Sequence, residues 1–133
     1  MVADSFDIPA WIALFVGLYV LAAAAAELRA PGTWDAMLDD FDRLTGLRFA
    51  TGVFVLALGA AIYLVNPWRP EDWLAIVISA LGGLLVAEGV LLIAAGERLM
   101  KLSRRLIGRS ARAWAGVAAL IGIAFILVAL ARI

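Results

Sequence analysis

The stretch WLAIVISALGGLLVAEGVLLIAA, residues 73–95, carries one charged side chain, Glu88, in a run otherwise suited to hydrocarbon. About 20 mostly apolar residues cross a bilayer, so this stretch reads as a transmembrane helix. Three further windows meet the same criterion, at about 8–26, 47–65 and 113–131. In lipid only helices and closed barrels satisfy every backbone polar group, and continuous apolar runs without period-two alternation exclude the barrel. The sequence therefore predicts an all-α polytopic membrane protein, one four-helix domain over residues 1–133.

Composition agrees. The chain is 65% hydrophobic, with a mean hydropathy of +1.02, more apolar surface than a soluble fold of this size can hide. Formal net charge is zero, which gives no reason to expect nucleic acid as a partner. Cysteine and histidine are absent, which removes disulfides, thiolate and Ser-His nucleophiles and the commonest metal and haem ligands. No enzyme activity, metal or cofactor is expected. Before the first window lie Asp4 and Asp7 and no Lys or Arg, whereas a secretory signal has a basic leading region; the first helix is expected to stay in the mature chain.

Orientation is read from Lys and Arg. The first and third connections hold Arg29, Arg43, Arg48, Arg98, Lys101, Arg104, Arg105, Arg109 and Arg112, against Arg69 and Arg132 on the other side. Nine against two predicts both long connections in the cytoplasm and both termini outside it. Trp11, Trp68 and Trp73 then mark the outer interface, and Trp34 and Trp114 the inner one. NPWRPED, residues 66–72, reads as a tight turn with Asp72 capping the following helix, so helices two and three form a close hairpin. A shift of about 64–66 residues lays GLYV (17–20) on GLLV (83–86) and RFATGV (48–53) on RAWAGV (112–117). This suggests a tandem repeat of two-helix units, with chance similarity among apolar runs the alternative.

The connections are amphipathic. In residues 33–45, Trp34, Met37, Leu38, Phe41 and Leu44 fall on one helical face, with Asp35, Asp39, Asp40 and Asp42 largely on the other. Thr33 is the expected N-cap and Gly46 the expected stop. In residues 97–108, Leu99, Leu102 and Leu106 form a stripe among Arg98, Lys101, Arg104 and Arg105. Contact with lipid head groups explains the basic helix. A pairing of the acidic helix with the basic one, within or between chains, is the sharper alternative.

Glu88 is the candidate site. A charge at a helix centre costs roughly 2.5–3.5 kcal/mol on insertion scales and usually faces a bundle interior or cavity. Leu81, Leu84, Leu85, Leu91 and Leu92 share its face, while Ser79, Gly82, Gly83 and Ala87 fall mostly opposite, where small residues mark a packing seam. Gly52 with Gly59, and Ala118 with Gly122, mark further seams. Three readings follow for Glu88: a neutral or hydrogen-bonded acid, or one paired with Arg48 or Arg112; a contact with another copy or another membrane subunit; or a proton or cation carrier. Ser79, Tyr63, Tyr19 and Thr51 are the other intramembrane polar groups, a sparse lining for transport.

LRFATGVFVLALGAAIYLVNPW (47–68) followed by GLLVAEGVLLIAAGERLMKL (83–102) resembles a family of small four-helix bacterial inner-membrane proteins of unassigned activity. The resemblance implies location and fold, with no catalytic residues to carry over. Length and helix count also resemble the small multidrug resistance transporters, but that family's essential glutamate lies in its first helix, which here has no acid before Glu27. The expectation is a non-enzymatic accessory or assembly protein in the lipid bilayer, associating with itself as a homo-oligomer or with other membrane subunits. The alternative is a small proton-linked transporter or channel using Glu88.

Overall fold

The computed structural model describes residues 6–133, so Asp4 and the residues around it lie outside the description. Five α-helices run in order: α1 (Ile8–Arg29), α2 (Thr33–Arg43), α3 (Thr45–Val65), α4 (Trp73–Ile107) and α5 (Ala111–Arg132), with a 3-10 turn at Gly108–Ser110. All but α2 are long and apolar enough to cross a membrane, and the described residues contain no strand. The chain is an all-α, multi-pass membrane protein. Phe15, Phe54, Leu64, Leu84, Leu120 and Leu127 stand exposed on the outside of the bundle, as lipid-facing side chains do.

The helices pack as two antiparallel couples. α3 pairs with α4, the expected hairpin, and α1 pairs with α5; the couples share far less surface with each other. Apolar side chains gain nothing by leaving lipid for one another, so close backbone approach has to hold such seams. In the α3–α4 seam, a Cβ on Gly59 would stand 2.7 Å from the Gly82 carbonyl oxygen and the Val86 nitrogen. One on Gly89 would stand 2.6 Å from the Leu56 nitrogen and 2.7 Å from the Gly52 oxygen. The α1–α5 seam repeats the device at Gly17, whose added Cβ would meet the Gly122 oxygen at 2.8 Å.

Gly52, Gly59 and Gly122 thus lie in seams as the sequence suggests, and Gly82 does too, but Gly83 faces open space and Ala87 is exposed. The reason is angular: the seam on α4 centres on Gly82 and Gly89, seven residues apart, and Gly83 falls a further 100° round. The proposed repeat lays buried Gly17 on open Gly83 and buried Gly52 on open Gly116, so residues that it equates have different surroundings.

The windows shift at their ends. α1 continues past 26 to Arg29 because Glu27 is tied into the next turn. α2 stops at Arg43, before 45, and α3 starts at Thr45, before 47: only Leu44, extended at φ −109° and ψ 90°, separates them. Gly46 therefore does not end a helix; it lies inside α3 with nothing close to it. The fourth span runs from 111 to 132, two residues earlier than expected at its start and one later at its end. The 73–95 span and the basic segment 97–108 form one helix of 35 residues, kinked at Ala95 (φ −148°, ψ 51°) and ended at Ile107. No proline or polar turn signal stands at 95 to separate them.

Replacing Gly59 or Gly89 by Ala is expected to lower stability in detergent by about 1–3 kcal/mol through overpacking against fixed backbone. Gly83→Ala and Gly116→Ala, in open space, should be neutral or stabilise by up to about 1 kcal/mol through helix propensity. Reversible unfolding followed by circular dichroism separates the two classes.

Candidate functional site

Polar side chains gather at the two ends of the bundle and leave Glu88 between them. At the end carrying Trp11, Trp68 and Trp73, Arg132 joins three helix termini. Its Nε donates to Asp7 Oδ2 (3.0 Å), its Nη2 to Asp72 Oδ2 (2.7 Å) and its Nη1 to Asp72 Oδ1 (2.9 Å). Both aspartates are also N-caps: Asp7 Oδ1 accepts from the Ala10 N–H (3.1 Å), and Asp72 Oδ1 from the Leu74 N–H (3.1 Å). Two carboxylates at helix N-termini and a guanidinium at a C-terminus also complement the helix dipoles. The Arg132 guanidinium holds the Asp72 carboxyl below the ordinary aspartate range, against a desolvation that pushes the other way. Directly below this clasp lies the apolar cluster Ala10, Ala13, Leu74, Ile78 and Ala129, which joins the couples.

Beside the clasp, Asn66 closes the α3–α4 turn. Its buried Nδ2 donates to the Ala75 carbonyl and to Ser79 Oγ, both at 2.8 Å. Ser79 is therefore a structural partner of the turn. Tyr63 is exposed.

At the opposite end α2 is tied to three helices. Glu27, only 2% exposed, receives the Gly32 N–H on Oε2 (3.0 Å) and the Trp34 N–H on Oε1 (2.9 Å), and the Trp34 indole N–H donates to the Ala23 carbonyl (3.0 Å). The N-cap is thus Gly32, at φ 98°, a left-handed backbone that favours glycine. Thr33 is not the cap: its hydroxyl donates back to Ala30 O (2.6 Å), because Glu27 already satisfies the free N–H groups of the turn. At the other end of α2, Arg48 Nη1 donates to the Phe41 and Asp42 carbonyls (2.9 and 3.1 Å). Arg48 reaches them across Gly96, where a Cβ would stand 2.9 Å from its Nε.

The acidic and basic helices meet within the chain. Arg104 Nε donates to Asp42 Oδ2 (2.8 Å), Nη1 to Asp35 Oδ1 (3.4 Å) and Nη2 to Asp39 Oδ1. Asp40 pairs locally with Arg43 (2.8 Å). Arg98, Lys101, Arg105 and Arg112 are exposed and form no salt bridge among the described residues.

Glu88 lies about 22 Å along α4 from Trp73, at 1.5 Å per residue. Leu74, Leu81 and Glu88 recur every seven residues and share one stripe. That stripe is buried in the inter-couple cluster at Leu74, half-buried at Leu81 and exposed at Glu88. Pairing with Arg48 is not what forms, since Arg48 spends its guanidinium on α2, and Glu88 has no salt bridge to Arg112. Among the described residues the Glu88 side chain has no hydrogen-bond or ionic partner. Sequence reasoning placed Glu27, Asp7 and Arg132 without a role. The only early signal for the first two was local: an acid before Pro31-Gly32, and an Asp two residues before Pro9.

Arg104→Gln is expected to speed amide exchange along α2, while Lys101→Gln should leave it unchanged; exchange mass spectrometry reads both. Arg132→Gln should cost about 1–3 kcal/mol, between the values for exposed and buried pairs. The depressed Asp72 group contributes stability that is complete above its unfolded pKa of about 3.9 and lost as pH falls through the lower native value. Melting temperature should therefore decline below about pH 4, and Asp72→Asn should flatten that decline. No family model, curated protein or solved structure matches this chain.

Proposed function

We propose that this chain is a non-enzymatic accessory or assembly protein of the bacterial inner membrane, akin to the small four-helix family that it resembles. In this reading α4 engages a second copy or the subunits of a larger membrane complex through the stripe that carries Glu88. One observation carries it: a carboxyl deep in a span stands exposed between Leu84 and Leu91, without a hydrogen-bond or ionic partner among the described residues. Lipid supplies no hydrogen-bond donor, so the insertion cost of roughly 2.5–3.5 kcal/mol is offset best by a group on a neighbouring protein. The Lys and Arg asymmetry supports cytoplasmic placement of α2 and the basic end of α4, with both termini outside.

Proton-linked transport through Glu88 is the second reading, and the surroundings of Glu88 favour it less. A relay needs successive polar groups, whereas Ser79 is engaged by Asn66 and both Tyr19 and Tyr63 stand exposed among lipid-facing residues.

Glu88→Leu should insert and fold normally yet associate about three- to thirtyfold more weakly, from the ~0.6–2 kcal/mol of an interhelical polar contact. Native mass spectrometry of the protein, extracted from its host membrane in mild detergent, reads the bound copies or subunits. Unchanged association would end this reading, and cation flux into vesicles abolished by the same substitution would replace it with transport.

A further inference from the structure

A shallow groove crosses the kink of α4, lined by Leu91, Ala95, Leu99 and Leu102 with Arg98 at its rim. Its depth in the membrane follows from helix geometry. Ala95 lies about 33 Å along α4 from Trp73 at 1.5 Å per residue, close to the ~30 Å thickness of the hydrocarbon core. With Trp73 at one boundary, Leu91 lies among acyl chains, and Arg98 and Lys101 lie at the level of phosphates.

The charges beside the groove are free to act there. Arg98, Lys101 and Arg105 recur at spacings of three and four and share one face of α4. All three are exposed and none has a salt bridge among the described residues, whereas Arg104 is committed to Asp35, Asp39 and Asp42 of α2. Glu97, the one carboxylate between Gly96 and Gly108, is exposed and likewise forms no salt bridge among the described residues. The segment thus joins an apolar trough to a net positive rim at the depth where a phospholipid changes from chain to phosphate.

We propose that this groove is a binding site for an anionic phospholipid, one acyl chain descending from the kink along Ala95 and Leu91, and the phosphate held by Arg98 and Lys101 at the level of Leu99 and Leu102. The complementarity is twofold: the apolar walls exclude a free phosphate as the natural occupant, and exposed cations that form no salt bridge among the described residues favour an anionic over a zwitterionic head group. The assignment holds whether or not another subunit meets Glu88.

The test titrates the full chain in a neutral detergent with phosphatidylglycerol and with phosphatidylcholine of the same acyl chains, counting bound lipid by native mass spectrometry. Wild type should prefer phosphatidylglycerol, and Arg98→Gln/Lys101→Gln should weaken its binding about 10- to 30-fold, at roughly fivefold per juxtamembrane cation. The charge-preserving swap Arg98→Lys/Lys101→Arg should retain the preference, as should Arg29→Gln at the end of α1, which rules out a general charge effect or misfolding. Equal binding of both lipids by wild type, or an undiminished preference in the double Gln variant, would overturn the site. Competition by glycerol phosphate at the concentration effective for the lipid would overturn the role of the groove in favour of a free-phosphate site.

Discussion

The absence of a hydrophobic drive between helices in lipid is the constraint on which this fold depends. Apolar side chains are as well solvated by acyl chains as by one another, so helices stay together only where backbones come close enough for dense dispersion contact and for carbonyl oxygens to lie against facing Cα atoms. Glycine at Gly52, Gly59, Gly82 and Gly89 meets that demand between α3 and α4, and Gly17 with Gly122 meets it between α1 and α5. The rest of each helix is free to be large and apolar toward lipid. This is why so few big side chains are buried in the bundle; Leu74 and Ile78 are the main ones, and they sit where the two couples touch.

Neither seam joins one couple to the other. That task falls to the apolar cluster around Leu74 and Ile78 and to charge at the two ends, where the apolar phase stops and ion pairs no longer carry the full penalty of hydrocarbon. Arg132 draws the N-termini of α1 and α4 to the C-terminus of α5. At the far end α2 acts as a strap, fixed to α1 by Glu27, to α3 by Arg48 and to α4 by Arg104. Between clasp and strap the couples have little contact, and it is along this stretch of α4 that Glu88 stands exposed.

Much of this was legible in the sequence where the cause was local. Four apolar windows, the Pro-rich turn, the Asp72 cap and the packing role of Gly52, Gly59 and Gly122 follow from composition and spacing within a few residues. What escaped depends on residues far apart in the chain. Asp7 meets Arg132 across 125 positions, and Arg104 meets Asp39 across 65; pattern alone suggested that the acidic and basic helices were complementary without selecting Arg104. Gly46 looked like a helix stop because a glycine after an amphipathic run usually is one, yet α3 begins around it. Gly83 looked like seam because it adjoins Gly82, and only the direction of the α3 neighbour distinguishes them. Glu88 was conspicuous at once, since one charge in a 23-residue span needs no contact map to be noticed.

The pairing of α1 with α5 also sets an order of events in biosynthesis. Helix α1 leaves the ribosome before the other four helices, but the backbone that fills its Gly17 face belongs to α5, around Gly122. At roughly 5–20 residues per second, about 5–20 s of synthesis separate the two. The α3–α4 hairpin has both partners in hand much earlier. During that interval α1 lies in the membrane with its small-residue face open to whatever is nearby, a chaperone, an insertion factor or a neighbouring nascent chain. The α1–α5 couple therefore closes only after the α3–α4 hairpin can form, when α5 returns to α1.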